Sequence, residues 1–357
     1  MSSKTLMNYG LALGGIALVT YVATHARNTM KKTDEDEEYE LIRQYLLNDE
    51  PLGGSKKPKL WIHSKNEVNS RHWKSFYSRN TTDLNQPYIH LTVKTIINHC
   101  GADFNICLID DETFSRLIPG WDIKLATVTE PFKSHYRELA LTQLLYIYGG
   151  MVVPDTFLCK RNLFPLYLDG TVGDKPFVCE TVNRSTNLLK QKHKRLFMPN
   201  THFMGSPKRN AELRELVDYL KRRNLNPHFT SETDFLGDSA EWCMDEVKKG
   251  SMNLVGGELI GTKTGKTRKP IIVDDLMAEA YLDLLPDAYG IYIDEEEMLT
   301  RTKYQWFPVM PAEMIFESKF ILAKHIVAAL IDTTDEYYVK PVEKRGPSIQ
   351  NRVVTNI

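Results

Sequence analysis

A helix-length apolar rhythm that stops at a glycine pair narrows the folds open to this chain. From about Ser134 to Tyr148, the residues Leu141, Leu144, Leu145 and Tyr148 recur at helical spacing, which gathers them on one face. Gly149-Gly150 follows, and glycine tolerates the left-handed backbone that ends helices. Met151-Val152-Val153 then reads as a short buried strand, stopped by Pro154. A helix that turns straight into a buried strand has to pack on the sheet it joins, which is the building unit of an α/β fold.

The rest of the chain continues that alternation. Lys59–His63 reads as a strand, Ile89–His99 as a helix, and Phe104–Ile109 as a second strand ending at Asp110-Asp111. Phe177–Cys179 is a further strand, and Leu213–Leu220 and Ala240–Val247 are amphipathic helices. Met252–Val255 and Glu258–Ile260 flank Gly256-Gly257, which predicts a hairpin. Ile271–Val273 predicts a strand, with a helix from about Asp275 to Leu285 and a last helix over Phe320–Leu330. Alternation over residues 59–332 predicts one α/β sandwich around a mainly parallel sheet, with no internal repeat and a tail at 333–357. With 42% apolar and 25% charged residues, the chain has the means to bury a sizeable core.

Ahead of that domain, Thr5–Thr24 holds no charged residue and contains the apolar run Leu11–Ala23. A helix of ~20 residues at ~1.5 Å each spans a ~30 Å hydrocarbon core, so residues 1–32 are expected to form a single membrane anchor. A cleaved signal peptide is the competing reading, although Ala23-Thr24-His25-Ala26 makes a poor cleavage site. Only Lys4 precedes the span, whereas Arg27, Lys31 and Lys32 follow it, which directs the main domain to the cytoplasmic side. Gly10 and Gly14 form a G-x-x-x-G pair, a face on which two such helices would form a homodimer. Residues 33–58 read as an acidic stalk closing in Gly53-Gly54-Ser55-Lys56-Lys57-Pro58.

Charge and cysteine usage exclude several classes. A net charge of −1 is too low for a protein that neutralises a nucleic-acid backbone. The five cysteines are odd in number and lack C-x-x-C spacing, which argues against a disulfide framework or a structural zinc. They read as buried thiols in a reducing compartment.

The stretch Ser134–Leu163, SHYRELALTQLLYIYGGMVVPDTFLCKRNL, resembles the core of GT-A-fold glycosyltransferases of the capsular-polysaccharide and sugar-transferase type. Their pattern is S-D-x-x-R-x-x-x-L-Y-x-Y-G-G-[IV]-[YW]-[LI]-D-x-[DT], and Leu145–Gly150 matches its centre outright. Pro199–Ser206 resembles the family's N-x-[FI]-[FIL]-[AGS] segment, and Pro58–His63 its first strand. The resemblance covers about residues 58–220 and implies a GT-A-like nucleotide-diphospho-sugar transferase preceded by one transmembrane helix. It implies a nucleotide-sugar donor, a glycan or lipid-linked acceptor, and Mn²⁺ or Mg²⁺ holding the diphosphate, since phosphates need oxygen-ligated cations.

This chain departs from the family's acidic metal motif. Pro154 stands at its first aspartate and Thr156 at its second position, with Asp155 between them. Glu138 stands at the helix aspartate, Leu141 at the arginine, and Arg137 one turn earlier. The resemblance thus implies Asp155 as the metal residue and Arg137, Glu138, Asn200 and His63 as donor-binding residues; no catalytic base is identified. The alternative reading keeps the fold but loses catalysis, leaving a membrane-bound structural or interaction component. A metal-independent transferase using cationic side chains is a third.

Other motifs weigh less. Gly261-Thr262-Lys263-Thr264-Gly265-Lys266-Thr267 has three residues where a Walker loop needs four, so it reads as a basic surface loop rather than an NTPase. Lys190, Lys192, Lys194 and Arg195 make a basic run suited to acidic lipid headgroups or to solvent. Asp294–Glu297 reads as a helix start or an acidic patch, and Trp306-Phe307-Pro308 as core rather than a sugar platform.

Overall fold

The computed structural model describes residues 57–65, 86–183, 195–225 and 232–331. The expected anchor, most of the stalk, the C-terminal tail, and Lys190, Lys192 and Lys194 of the basic run lie outside the described residues. Among those described, no helix is long and apolar enough to cross a membrane.

The described residues form eight strands: β1 Lys59–His63, β2 Asn105–Ile109, β3 Gly150–Val152, β4 Leu158–Cys159, β5 Phe177–Val182, β6 Phe197–Ser206, β7 Asn253–Val255 and β8 Gly290–Ile291. The helices are α1 Tyr88–Cys100, α2 Thr113–Leu117, α3 Phe132–Tyr148, α4 Phe164–Gly170 and α5 Ala211–Leu225. They continue with α6 Glu232–Lys249, α7 Val273–Leu276, α8 Glu295–Thr300, α9 Ala312–Glu317 and α10 Ile321–Leu330. Six strands form one sheet in the order β2-β1-β3-β6-β5-β7, while β4 and β8 make a separate antiparallel pair. β1 is parallel to β2 and β3, and β5 is parallel to β7. β6 is antiparallel to both β3 and β5, so five strands share one direction and β6 alone is reversed.

The apolar runs explain which strands are central. All five residues of β1 are buried, as befits a strand covered on both faces. The Gly149-Gly150 turn meets a steric demand as well as a conformational one. Gly149 has φ +72° and Gly150 has φ +100°; a Cβ on Gly150 would lie 2.1 Å from the Lys59 carbonyl oxygen. Trp61 Nε1 donates to the Gly149 carbonyl at 3.0 Å, locking the turn against β1. The leucines of α3 are buried, and the helix packs on β6, α5 and α6.

A second apolar cluster joins α1 to the C-terminal third through Tyr88, Leu158, Ile291, Phe307, Leu322 and Ile326. Phe307 and Pro308 lie in the core, whereas Trp306 is exposed and packs its ring edge-on against Phe320. All five cysteines are buried free thiols.

Three local expectations fail. Gly256-Gly257 does not turn a hairpin: β7 pairs in parallel with β5, and Thr262 Oγ1 donates to the Glu180 carbonyl at 2.9 Å, carrying the chain across the end of β5. Thr262 N also donates to the Gly257 carbonyl at 2.9 Å, closing a turn where a second strand was expected. Ile271–Val273 is not a strand either. Asp275 accepts from the Ile272 amide at 3.0 Å and so starts the single helical turn α7. That helix does not reach Leu285, because backbone groups beyond it are used elsewhere: Ala278 O accepts from Ile321 N at 2.7 Å, and Asp283 O from Gly265 N at 2.9 Å.

Candidate functional site

With five strands running one way, their carboxyl ends gather along one edge, where open α/β sheets bind ligands. The edge is formed by His63 at the end of β1, Asp110-Asp111 after β2, and Pro154-Asp155 just past β3. Glu180 comes from β5, and the reversed β6 brings its first half, including Asn200, to the same edge. Opposite Cys179, β6 bulges, with Thr201, His202 and Phe203 interposed between the pairs Cys179↔Asn200 and Val178↔Met204. Bulges of this kind re-aim side chains beside functional clefts.

One half of the edge is a closed ionic cluster. Arg137 grips Asp111 with both arms, Nε to Oδ1 at 2.9 Å and Nη2 to Oδ2 at 2.7 Å. Its remaining Nη1 reaches Glu130 at 3.4 Å, and Glu130 in turn accepts from the Ser134 hydroxyl at 2.8 Å. His63 Nε2 sits 3.0 Å from Asp111 Oδ1 and its ring stacks on Phe114. Burial works to raise the Asp111 pKa, but the hydrogen bonds from His63 and Arg137 overcome it and hold the carboxyl well below its usual range. Burial lowers the His63 pKa despite Asp111. The consistent state is a neutral imidazole whose Nε2–H donates to an ionised Asp111, because a carboxylate only accepts. Arg137, expected to face a diphosphate, is therefore directed at two carboxylates of its own chain and is buried.

The other half of the edge is a like-charged pair. Asp155 is buried, and its pKa is pushed up to about 7 by burial and then by the negative charge of Glu295, with Lys65 opposing. Thr92 Oγ1 of α1 donates to the Asp155 carbonyl at 2.5 Å, and Thr156 Oγ1 donates to the Ile293 carbonyl at 2.8 Å. The second bond draws the start of α8 beside the end of β3. Asp294 caps that helix by accepting from the amides of Glu296 and Glu297, at 3.1 and 3.2 Å. Glu295 is held by Lys65 at 3.6 Å and by the Gln86 side-chain amide. The fully buried Tyr88 hydroxyl lies in the field of Glu295, Asp155 and Asp294; burial first, then these charges, raises its pKa. That hydroxyl has no hydrogen-bond partner, an unusual situation for a buried polar group.

Asn200 and Glu138 occupy different depths. Asn200 Nδ2 lies 3.5 Å from the Tyr292 hydroxyl, and its Oδ1 accepts from His202 N at 2.9 Å, bracing the bulge. Glu138 is enclosed behind β6, where Thr201 Oγ1 donates to it at 2.6 Å. It supports the strand next to Asn200 from within. The basic loop is also anchored: Lys263 is ion-paired to Glu180 and sits 4.2 Å over the Phe197 ring. Lys266, Arg268 and Lys269 remain exposed.

The donor set suits a hard divalent cation. Among the described residues no three His, Cys, Asp or Glu side chains converge into a self-contained cage. A cation that keeps substrate phosphates in its shell needs only one or two protein carboxylates, and Asp155 with Glu295, beside an orphaned hydroxyl, offers that chemistry. Glu295, Lys65 and Tyr88 were not singled out from sequence. The Thr156–Ile293 bond that aligns them joins residues 137 apart, and no local spacing announces such a meeting.

No protein-family model matches this chain, and no curated protein matches its sequence. Among solved structures it is similar to the PaToxG glycosyltransferase at 10% identity, covering 62% of this chain and 80% of that one, with a TM-score of 0.32. It is also similar to the galactosyltransferase LgtC in complex with donor and acceptor sugar analogues, at 10% identity, 79% and 99% coverage, and a TM-score of 0.35. Overlaps this loose leave the reading of the site to its own residues.

Proposed function

We propose that this protein transfers a sugar from a nucleotide-sugar donor to a glycan or lipid-linked acceptor, with Mn²⁺ or Mg²⁺ held by Asp155 and Glu295. The observation that carries this reading is the buried Asp155 just past β3, directly after the helix–Gly-Gly–strand segment, with the negative charge of Glu295 from the start of α8 acting on it. The charge of the partly buried Glu295 bears on the buried Asp155 carboxyl, and a bound cation would relieve that repulsion. Such an ion would offset the charge of a departing diphosphate. Asn200 and Tyr292 suit the donor sugar, with Glu138 bracing the bulge behind them. His63, Asp111 and Arg137 would act as a rigid wall on the nucleotide side, with Lys133 also paired to Asp111 at 3.8 Å and Lys65 to Glu295 at 3.6 Å.

The test is release of nucleoside diphosphate from a panel of UDP- and GDP-sugars with Mn²⁺. The reading expects slow donor hydrolysis that chelator stops and Asp155→Ala abolishes. A second reading, a catalytically inactive membrane-bound scaffold, is favoured by Pro154 at the position of the family's first aspartate. It expects no turnover of any donor. A metal-independent transferase predicts turnover that chelator leaves intact. The N-terminal segment is proposed to anchor the protein with this domain on the cytoplasmic side, and its glycine pair to support a homodimer. Protease digestion of sealed membranes tests the first: protection of the domain would reverse the orientation. Crosslinking of Gly10→Ile and Gly14→Ile variants tests the second.

A further inference from the structure

Cys100 is the last residue of α1 and Cys159 the last of β4. Their sulfurs lie 3.8 Å apart, and both residues are fully buried. Cys107, Cys179 and Cys243 are also buried free thiols. The two thiols end a seam along which α1 and the turn after it run beside residues 155–162. Thr92 Oγ1 donates to the Asp155 carbonyl at 2.5 Å, Cys159 N donates to Thr95 Oγ1 at 3.0 Å, and Asn162 Nδ2 donates to the Asp103 carboxylate. The seam thus carries Asp155 at one end and the thiol pair near the other.

We propose that Cys100 and Cys159 form a redox-responsive pair, which a peroxide oxidises to a disulfide that staples the Asp155-bearing segment to α1. The Cys100 thiolate attacks the peroxide O–O bond, giving a sulfenic acid and releasing hydroxide. Cys159 sulfur then displaces the sulfenic oxygen, forming the S–S bond; with the thiol proton this leaves as water. Two thiols lose two electrons in all, and one peroxide becomes two waters. The division of labour follows from the surroundings. The contact with Cys159 and then the Leu163 backbone lower the Cys100 pKa against burial, whereas burial drives the Cys159 thiol up, and Cys159 Sγ donates to the Arg161 carbonyl at 3.1 Å. Closing the gap from 3.8 Å to the ~2.05 Å of a disulfide needs a small approach of two segments already bonded on both sides. The inference does not depend on what the cleft binds.

The test uses the full chain, reduced and then exposed to hydrogen peroxide, with remaining thiols alkylated under denaturing conditions before digestion and mass spectrometry. The expected product is one linked peptide pair joining Cys100 to Cys159, lighter by two hydrogens and reversed by dithiothreitol. Hydrogen exchange of the amides at 155–159 should be slower in the oxidised form, and Cys159→Ala should lose both the link and the slowing. Five thiols still free, sulfinic acid at Cys100 without a link, or a link involving Cys107, Cys179 or Cys243 would each overturn the proposal. The mapping is read on the native sequence, so it does not rest on a variant folding.

Discussion

The two halves of the sheet edge are built from the same materials with opposite electrostatics. Around Asp111, a guanidinium and an imidazole make three hydrogen bonds to one carboxylate, and the Lys133 ammonium stands 3.8 Å away. Around Asp155, a second carboxylate approaches and a buried hydroxyl is left without a partner. The first arrangement is complete without a ligand; the second has an electrostatic cost that a cation would remove. Buried charge that is paired within the chain reads as structure, and buried charge that repels its neighbour reads as a site.

That contrast breaks most visibly at Arg137. Arg137→Ala would leave Asp111 with a neutral histidine and the Lys133 ammonium 3.8 Å away but without its two guanidinium hydrogen bonds, and stability is expected to fall by about 3 kcal/mol in urea denaturation. Asp111 keeps 22% side-chain exposure, which places the loss at the lower end for such pairs. A loss under ~1 kcal/mol, typical of an exposed ion pair, would remove the distinction between the halves.

Asp155→Asn should act in the opposite direction. The folded-state pKa of Asp155 is raised, to about 7, so the folded protein holds a proton that the unfolded chain releases at an ordinary carboxylate pKa. Its favourable contribution is fully present below pH ~4 and is lost as pH rises through about 7. Without metal, the amide should stabilise the protein at pH 8 by on the order of 2 kcal/mol and make no difference near pH 4. Equal melting temperatures for both proteins at pH 8 would count against a buried, repelled carboxylate.

Glu295→Gln isolates the part of the Asp155 shift that comes from the neighbouring charge. Removing the neighbouring charge leaves burial as the remaining cause, so the Asp155 pKa should move down from about 7. Carboxyl carbon NMR titration reads this directly, and the stability gain at pH 8 should be about 1 kcal/mol. An unmoved titration would mean the two side chains do not sense each other.

The smallest effect is expected at His63. Arg137 still secures Asp111 in His63→Gln, so the loss should be about 1 kcal/mol or less. Because burial lowers the His63 pKa, the folded state takes up its proton less readily than the unfolded chain. Its contribution is present above pH ~6.5 and declines as pH falls below that. Denaturation at pH 5.5 and 7.5 checks the sign, which a charged His63–Asp111 pair would reverse.

How much of this was legible depended on whether the cause was local. The helix over Phe132–Tyr148 and the turn into β3 follow from apolar spacing and a glycine pair, and β1 was legible residue for residue because all five positions are covered. Gly256-Gly257 misled because the same dipeptide serves a hairpin or a turn across a strand end; Thr262 bonding to the Glu180 carbonyl decides between them. Ile271–Val273 looked like a strand by composition, but Asp275 caps a helical turn there. At the site, Asp155 stood out through its place at a strand end. Arg137 and Asp111 were both visible as charged residues, yet their pairing joins positions 26 apart across two elements. Glu295 looked like one acid in a helix start, and only the folding of the C-terminal third onto α1 brings it to Asp155.

The most direct measurement is calorimetric titration of UDP and GDP into the full chain, with Mn²⁺ and with chelator, at pH 6 and pH 8. A site completed by a cation on Asp155 and Glu295 predicts nucleotide binding that needs Mn²⁺, strengthens from pH 6 to pH 8 as Asp155 gives up its proton, disappears in Asp155→Asn and survives in His63→Gln. Binding of either nucleotide that chelator and Asp155→Asn leave unchanged, or no binding under any of these conditions, would contradict it.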